Sequence, residues 1–154
     1  MGGQIEKRLA ELGISLPEPV APVANYVPFV ITGKQIFVSG QVPIVDGKPS
    51  FIGTCGATIS TEDAVKAARV CAINLIAQAK AAAGDLDSIA RVVKLVGFVN
   101  SAPDFTEQPK VINGASDLMV DVFGDKGRHA RSAVGVAALP LGVSVEVEAV
   151  FELA

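Results

Sequence analysis

Arg131, Glu146 and Glu148 are the residues whose types and spacing offer chemistry in this 154-residue chain. An arginine guanidinium stays charged and grips a carboxylate through two parallel hydrogen bonds, which a lysine ammonium cannot do. Arg131 opens an apolar segment running to Leu139, read as a strand. A Leu139-Pro140-Leu141-Gly142 turn follows, and Val143 to Leu153 reads as a second strand paired with the first. Period-two alternation puts Glu146 and Glu148 on one face with Ser144 and Glu152. Val143, Val145, Val147, Ala149 and Phe151 then form the opposite, core face. Like charges that close raise at least one pKa where they are partly buried. A carboxylate tuned in this way can orient or deprotonate a water. Ser132 or a backbone amide beside Arg131 would add a donor for a bound carboxylate. The competing readings are a surface ion pair between Arg131 and Glu146 or Glu148, and a solvated acidic strand face.

Other positions offer less. Ser39-Gly40-Gln41 interrupts a strand, and a glycine there marks either a β-bulge or a backbone that a ligand can approach closely. Tyr26, the one tyrosine, could hydrogen-bond a ligand or sit at a strand edge. Asn113 lies beside the apolar stripe of a helix and needs a partner if buried. His129 reads as loop decoration rather than a catalyst, Cys71 as inert helix packing, and Cys55 has no assigned role. Two cysteines and one histidine are too few for a thiolate or imidazole metal site, so no metal is expected. Phosphate-loop, nucleotide-binding and Ser-His-Asp patterns are lacking.

The elements that must position these residues are legible as periodic runs. Residues 4–12 form a short amphipathic helix stopped by Gly13, and a connector with prolines at 17, 19 and 22 follows. Residues 1–25 are thus an arm, and 26–154 a single domain. Strands over Tyr26 to Ile31 and Gln35 to Ile44 flank a Thr32-Gly33-Lys34 turn, with Asp46-Gly47 a further turn. A helix starts at Ser60, which with Asp63 resembles a capping box. Its stripe is Val65, Ala68, Ala72, Leu75, Ile76 and Ala79, with Gly84 past its end. Ala90 to Asn100 is a strand dense enough in apolar residues for burial on both faces. Pro103-Asp104 opens a second helix region, with Pro109 in the helix's first turn. Its stripe is Val111, Ile112, Ala115, Leu118, Met119, Val122 and Phe123, ended by Gly124. The order ββαβαββ describes an α+β fold whose mixed sheet carries both helices on one face. The bare face is most simply covered by another copy of the chain.

Composition agrees. Half the residues are hydrophobic and 19% charged, so the core is large for one domain of this size. The net charge of −3 argues against a general nucleic-acid binder, because such binding neutralises phosphates. No apolar run approaches the roughly 20 residues that span a bilayer. The charged opening MGGQIEKRLAEL lacks a signal-peptide core, so the expected location is cytoplasmic, without a membrane partner.

Taken in order, Phe37-Val38-Ser39-Gly40-Gln41-Val42-Pro43, Ala130-Arg131-Ser132, Leu139-Pro140 and Val145-Glu146-Val147-Glu148-Ala149 resemble the Rid family, the reactive intermediate deaminases also called YjgF or L-PSP proteins. The resemblance runs from about Tyr26 to the C-terminus. It implies a chorismate-mutase-like fold, a homotrimer with three clefts between subunits, and no cofactor. It also implies hydrolysis of enamines or imines (2-iminoalkanoates) to 2-oxo acids and ammonia. By the same resemblance Arg131 binds the substrate carboxylate and Glu146 holds the attacking water, while Tyr26, Ser39, Gly40 and Asn113 line the cleft. Ala133 stands where typical members carry cysteine, and Gly135 where they carry a larger residue. His129 stands where the motif usually has Pro or Ala. These departures mark a divergent branch. A non-catalytic trimer that binds a small carboxylate is the alternative, and endoribonuclease activity a third reading.

Overall fold

The structure, a computed structural model, describes residues 3–19 and 24–154. Part of the proline-bearing connector, Pro22 included, lies outside the described residues. Helix α1 (Gln4–Glu11) is followed by strands β1 (Phe29–Thr32) and β2 (Gln35–Gln41) and a two-residue-strand hairpin, β3 (Ile44–Val45) and β4 (Lys48–Pro49). Then come α2 (Thr61–Ala83), β5 (Ile89–Asn100), α3 (Gln108–Phe123), β6 (Ala130–Val136) and β7 (Val145–Leu153). The ββαβαββ order stands, with the small hairpin added. The second expected strand ends at Gln41 rather than Ile44. Asp46 and Gly47 both take positive φ (51° and 77°), the turn that joins two tightly paired strands, so Ile44–Val45 fold onto Lys48–Pro49.

Five strands form one mixed sheet in the order β1-β2-β7-β5-β6. β5 and β6 run parallel through the α3 crossover, and the other neighbours are antiparallel. The two C-terminal strands therefore do not pair as expected: β5 lies between them. A turn as short as Leu139 to Gly142 suits a hairpin, but β6 follows α3 and takes the parallel edge beside β5, leaving β7 to fill the centre.

Both long helices cover one face. Ser60 Oγ accepts the Asp63 amide at 3.1 Å, which caps α2, and Gly84 closes it at φ 80°. All seven residues of the α3 stripe are buried. They meet Ile36, Val38, Val92, Leu95, Val99, Val145, Val147, Ala149 and Phe151 from the sheet in a single core. Phe151 is fully buried, its ring 6.3 Å from that of Phe123, and burial of such a ring stabilises by about 1.5–3 kcal/mol. The two helices pack closely at Gly114, where a side chain would run into the Val65 carbonyl of α2. The short α1 also joins the core, through Leu9 at 2% exposure.

The other sheet face is bare. β5 was expected to be buried on both sides, but Lys94 is exposed there and Val96 and Phe98 are only half-buried. Val30, Phe37 and Val134 lie on the same face at 51%, 44% and 44% exposure. The apolar density of β5 reflects two apolar faces, only one of which this chain covers itself.

Candidate functional site: two half-sites on opposite faces of the sheet

The first half-site lies on the bare face, at the end of β2 and β7. Val38 pairs with Ala149 and Gln41 with Val147, so three steps along β2 match two along β7 and leave one extra residue, a β-bulge at Ser39-Gly40. Ser39 pins the preceding segment: its amide donates to the Pro28 carbonyl at 2.9 Å and its hydroxyl to the Val27 carbonyl at 2.9 Å. This sets Tyr26, which precedes β1 rather than lying in it, near the bulge and half exposed to solvent. Gly40 has no side chain because Glu146 occupies the place: a Cβ there would overlap Glu146 Oε2. Burial, and secondarily the Glu148 carboxylate, push the Glu146 carboxyl above the ordinary glutamate range. Two further residues adjoin it: Ser144, expected on this face but given no role, and Asn100, which was not anticipated from sequence. Ser144 lies two positions before Glu146, and the Asn100 amide donates to the Ser144 carbonyl at 2.9 Å. Ser144 Oγ and Asn100 Oδ1 are buried and have no hydrogen-bond partner among the described residues.

The second half-site is at the β6 edge, on the helix-bearing face. Arg131 is in register with Leu95, and Leu95 with buried Ala149, so its side chain leaves the sheet on the core side, toward α3. Arg131 Nη1 donates to Asn113 Oδ1 at 2.8 Å and to Ser116 Oγ at 3.2 Å. Ser116 Oγ is in turn 2.8 Å from His129 Nε2, and His129 Nδ1 is 2.6 Å from the Gly127 carbonyl oxygen. His129, read as loop decoration, is built into this network. The cue available in sequence was Ser116 at three residues after Asn113, outside the apolar stripe of α3. Arg131 makes no ion pair among the described residues, which removes the surface pairing with Glu146 or Glu148. Ala133 and Gly135 follow Arg131 on the same face of β6, whereas Ser132 turns to the bare face, in register with Val96 and through it with Glu148.

Arg131 and Asn113 are thus brought together, as are Ser39, Gly40 and Glu146, with Tyr26 tethered nearby. Arg131 and Glu146 are not: Glu146 is in register with Phe98 and Val134, so the two lie on opposite faces, separated by β5. Both cysteines are buried, and burial holds the Cys71 thiol well above its usual pKa. Among the described residues no cluster of His, Cys, Asp or Glu could hold a metal ion, and no helix is long and apolar enough to cross a membrane.

Residues 6–153 match the family described as "YjgF/chorismate_mutase-like, putative endoribonuclease", a match that begins inside α1. Protein TCP17 of Trypanosoma cruzi is 52% identical over 152 residues, 98% of this chain and 95% of that protein. The RutC family protein y4sK of Sinorhizobium fredii is 32% identical over 91% of this chain and 96% of its own length. Among solved structures, Atu1372 of Agrobacterium tumefaciens, a protein of unknown function, superposes with a TM-score of 0.91 at 52% identity, covering 97% of this chain and 92% of that one. E. coli TdcF with bound serine superposes at 0.64 and 25% identity, covering 91% and 96%. The chain belongs to the YjgF, or Rid, family and has its chorismate-mutase-like fold.

Proposed function

We propose that this protein hydrolyses small 2-imino acids to 2-oxo acids and ammonia, with Arg131 anchoring the carboxylate and Glu146 taking a proton from the attacking water. The observation that carries the reading is the state of Arg131. It is a half-buried cation with one nitrogen on neutral oxygens and no acidic partner among the described residues. Such a group favours a bound anion, and a carboxylate fits its planar fork. The serine held by the related TdcF also carries a carboxylate. An imine carbon is already electrophilic, so placing one water against it supplies much of the catalysis. A raised carboxyl at Glu146 suits it as the base. The unpartnered Asn100 and Ser144 atoms beside it offer further hold on water.

Because the two groups lie on opposite faces of one chain, the site needs two copies. Arg131 of one protomer would close over the Glu146 face of the next, covering Val30, Phe37 and Val134, in a homotrimer with three clefts. The test is complementation. Arg131→Ala and Glu146→Gln are each expected to abolish 2-oxo acid release from an imine made in situ by an amino-acid dehydratase, while light scattering still reads a trimer. When equal amounts are mixed and reassembled, half the protomers bring an intact Arg131 and half an intact Glu146. About one cleft in four then holds both, and about a quarter of the activity returns. Mixtures that stay inactive, or an active Arg131→Ala protein, defeat the proposal.

A further inference from the structure

The network behind Arg131 has a direction. A carbonyl oxygen only accepts, so the contact of His129 with Gly127 fixes the proton on Nδ1. In the neutral ring Nε2 is then an acceptor, the Ser116 hydroxyl donates its hydrogen bond to it, and the hydroxyl lone pairs are left to Arg131 Nη1. Every group donates to the next, from guanidinium to hydroxyl to imidazole to backbone. Both ends are anchored in packed structure. Ser116 is on α3, and Gly127 is buried where any side chain would run into the Met119 carbonyl of the same helix. No other hydrogen bond of the guanidinium is present among the described residues, so the Nε and Nη2 edge is uncommitted.

We infer that Ser116 and His129 are positioning residues. They hold Nη1 against α3 so that the remaining edge of Arg131 is presented, in one orientation, to a ligand carboxylate. The inference rests on the reading of Arg131 as a carboxylate anchor. An arginine held by Asn113 alone would pivot and sample other rotamers, and only a fraction of them would present the fork.

Binding of 2-oxobutanoate, followed by calorimetry, tests it alongside steady-state imine hydrolysis. Ser116→Ala and His129→Phe are expected to weaken 2-oxobutanoate binding and raise KM by about 3- to 10-fold, the range for one lost hydrogen bond, with kcat within about twofold. His129→Gln, whose amide oxygen reaches the Nε2 position, is expected to keep binding within about twofold of wild type. Equal losses in the Phe and Gln variants, or none in the Phe variant, overturn the inference. Ring 15N shifts of His129 in the unliganded wild-type protein give a check that needs no variant to fold: the Nδ1–H tautomer is expected, and an Nε2–H ring refutes the network. Wild-type binding without turnover, weakened in His129→Phe, supports the inference and sinks the deaminase reading. Turnover lost in Arg131→Ala but unaltered in His129→Phe sinks the inference alone. A wild-type protein that neither binds nor turns over sinks both.

Discussion

Replacing Gly40 by alanine separates the chemistry of the bare-face half-site from its stability. An added Cβ overlaps Glu146 Oε2 and comes within 2.9 Å of Cδ and 3.2 Å of Cγ. Restoring ordinary carbon–oxygen contact requires the carboxylate to retreat by about 1 Å. The obstacle is the end of a flexible side chain, and Gly40 is not at positive φ, so alanine suits the backbone. The loss of stability is expected to stay below about 1 kcal/mol. Gly114→Ala is the contrast: there the Cβ meets the Val65 carbonyl, the helices must separate, and about 1–3 kcal/mol is lost. For activity the order reverses. A reacting group misplaced by about 1 Å can lose a factor of about 100, so Gly40→Ala should lower kcat by that order, while Gly114→Ala, which shifts Asn113 and Ser116 with α3, should act mainly on KM. Glu146→Gln should lower it by about 10²–10⁴, and adding Gly40→Ala to Glu146→Gln should change nothing further. Urea unfolding and the dehydratase-coupled assay read the two axes. Wild-type kcat in Gly40→Ala, or losses that multiply in the double variant, would refute the placement of Glu146.

Three further outcomes follow from the same geometry. Glu146 must be ionised to act as a base, and burial plus Glu148 raise its pKa, so kcat should fall as pH is lowered while still above the ordinary glutamate range. Glu148→Gln removes the smaller cause and should move that limb to lower pH without bringing it fully back. For stability the sign is opposite, since the folded protein binds the proton more tightly, and the contribution of Glu146 declines as pH rises through that window. Asp87 caps α1 across the chain, accepting the Gln4 and Ile5 amides at 2.8 and 2.9 Å, and these bonds lower its pKa. Its hold on the arm is present above the usual aspartate range and lost as pH falls through the depressed value. Asp87→Asn should therefore reduce the protection of the Gln4 and Ile5 amides, measured as exchange relative to the intrinsic rate at the same pH, as acid does in the wild type. Finally, Ellman's reagent should find no reactive thiol in the native protein and two in urea, since Cys55 and Cys71 are both buried.

What could be read from sequence was what is local. The α2 cap at Ser60, the Gly84 stop and the α3 stripe depend on residues within a few turns, and each is found. The bulge at Ser39-Gly40 was marked by a glycine in a strand. Strand partners were not legible, because the placement of β5 between β6 and β7 depends on where α3 returns the chain. That one insertion decides the faces. Arg131 and Glu146 differ by an odd number of positions, but parity means nothing between strands until a register links them. The His129 contact to Ser116 spans thirteen residues through a short 3₁₀ turn, so the histidine itself carried no signal and the cue lay only in Ser116 beside Asn113 on α3.

The separation of the half-sites has its own physical logic. Glu146 and Glu148 share the bare face, and an arginine held directly against them would be neutralised within the chain. A hydrogen bond to a charged group is worth about 1.5–3 kcal/mol, so a substrate carboxylate would have to displace a comparable partner. Glu146, in turn, would lose its raised pKa beside a fixed cation and become a weaker base. Setting Arg131 on the far face, against the neutral oxygens of Asn113 and Ser116, keeps the cation open to an anion and the carboxylate open to a proton. Within the proposed mechanism, the cleft between protomers is the place where they meet with the substrate, rather than each other, as the partner.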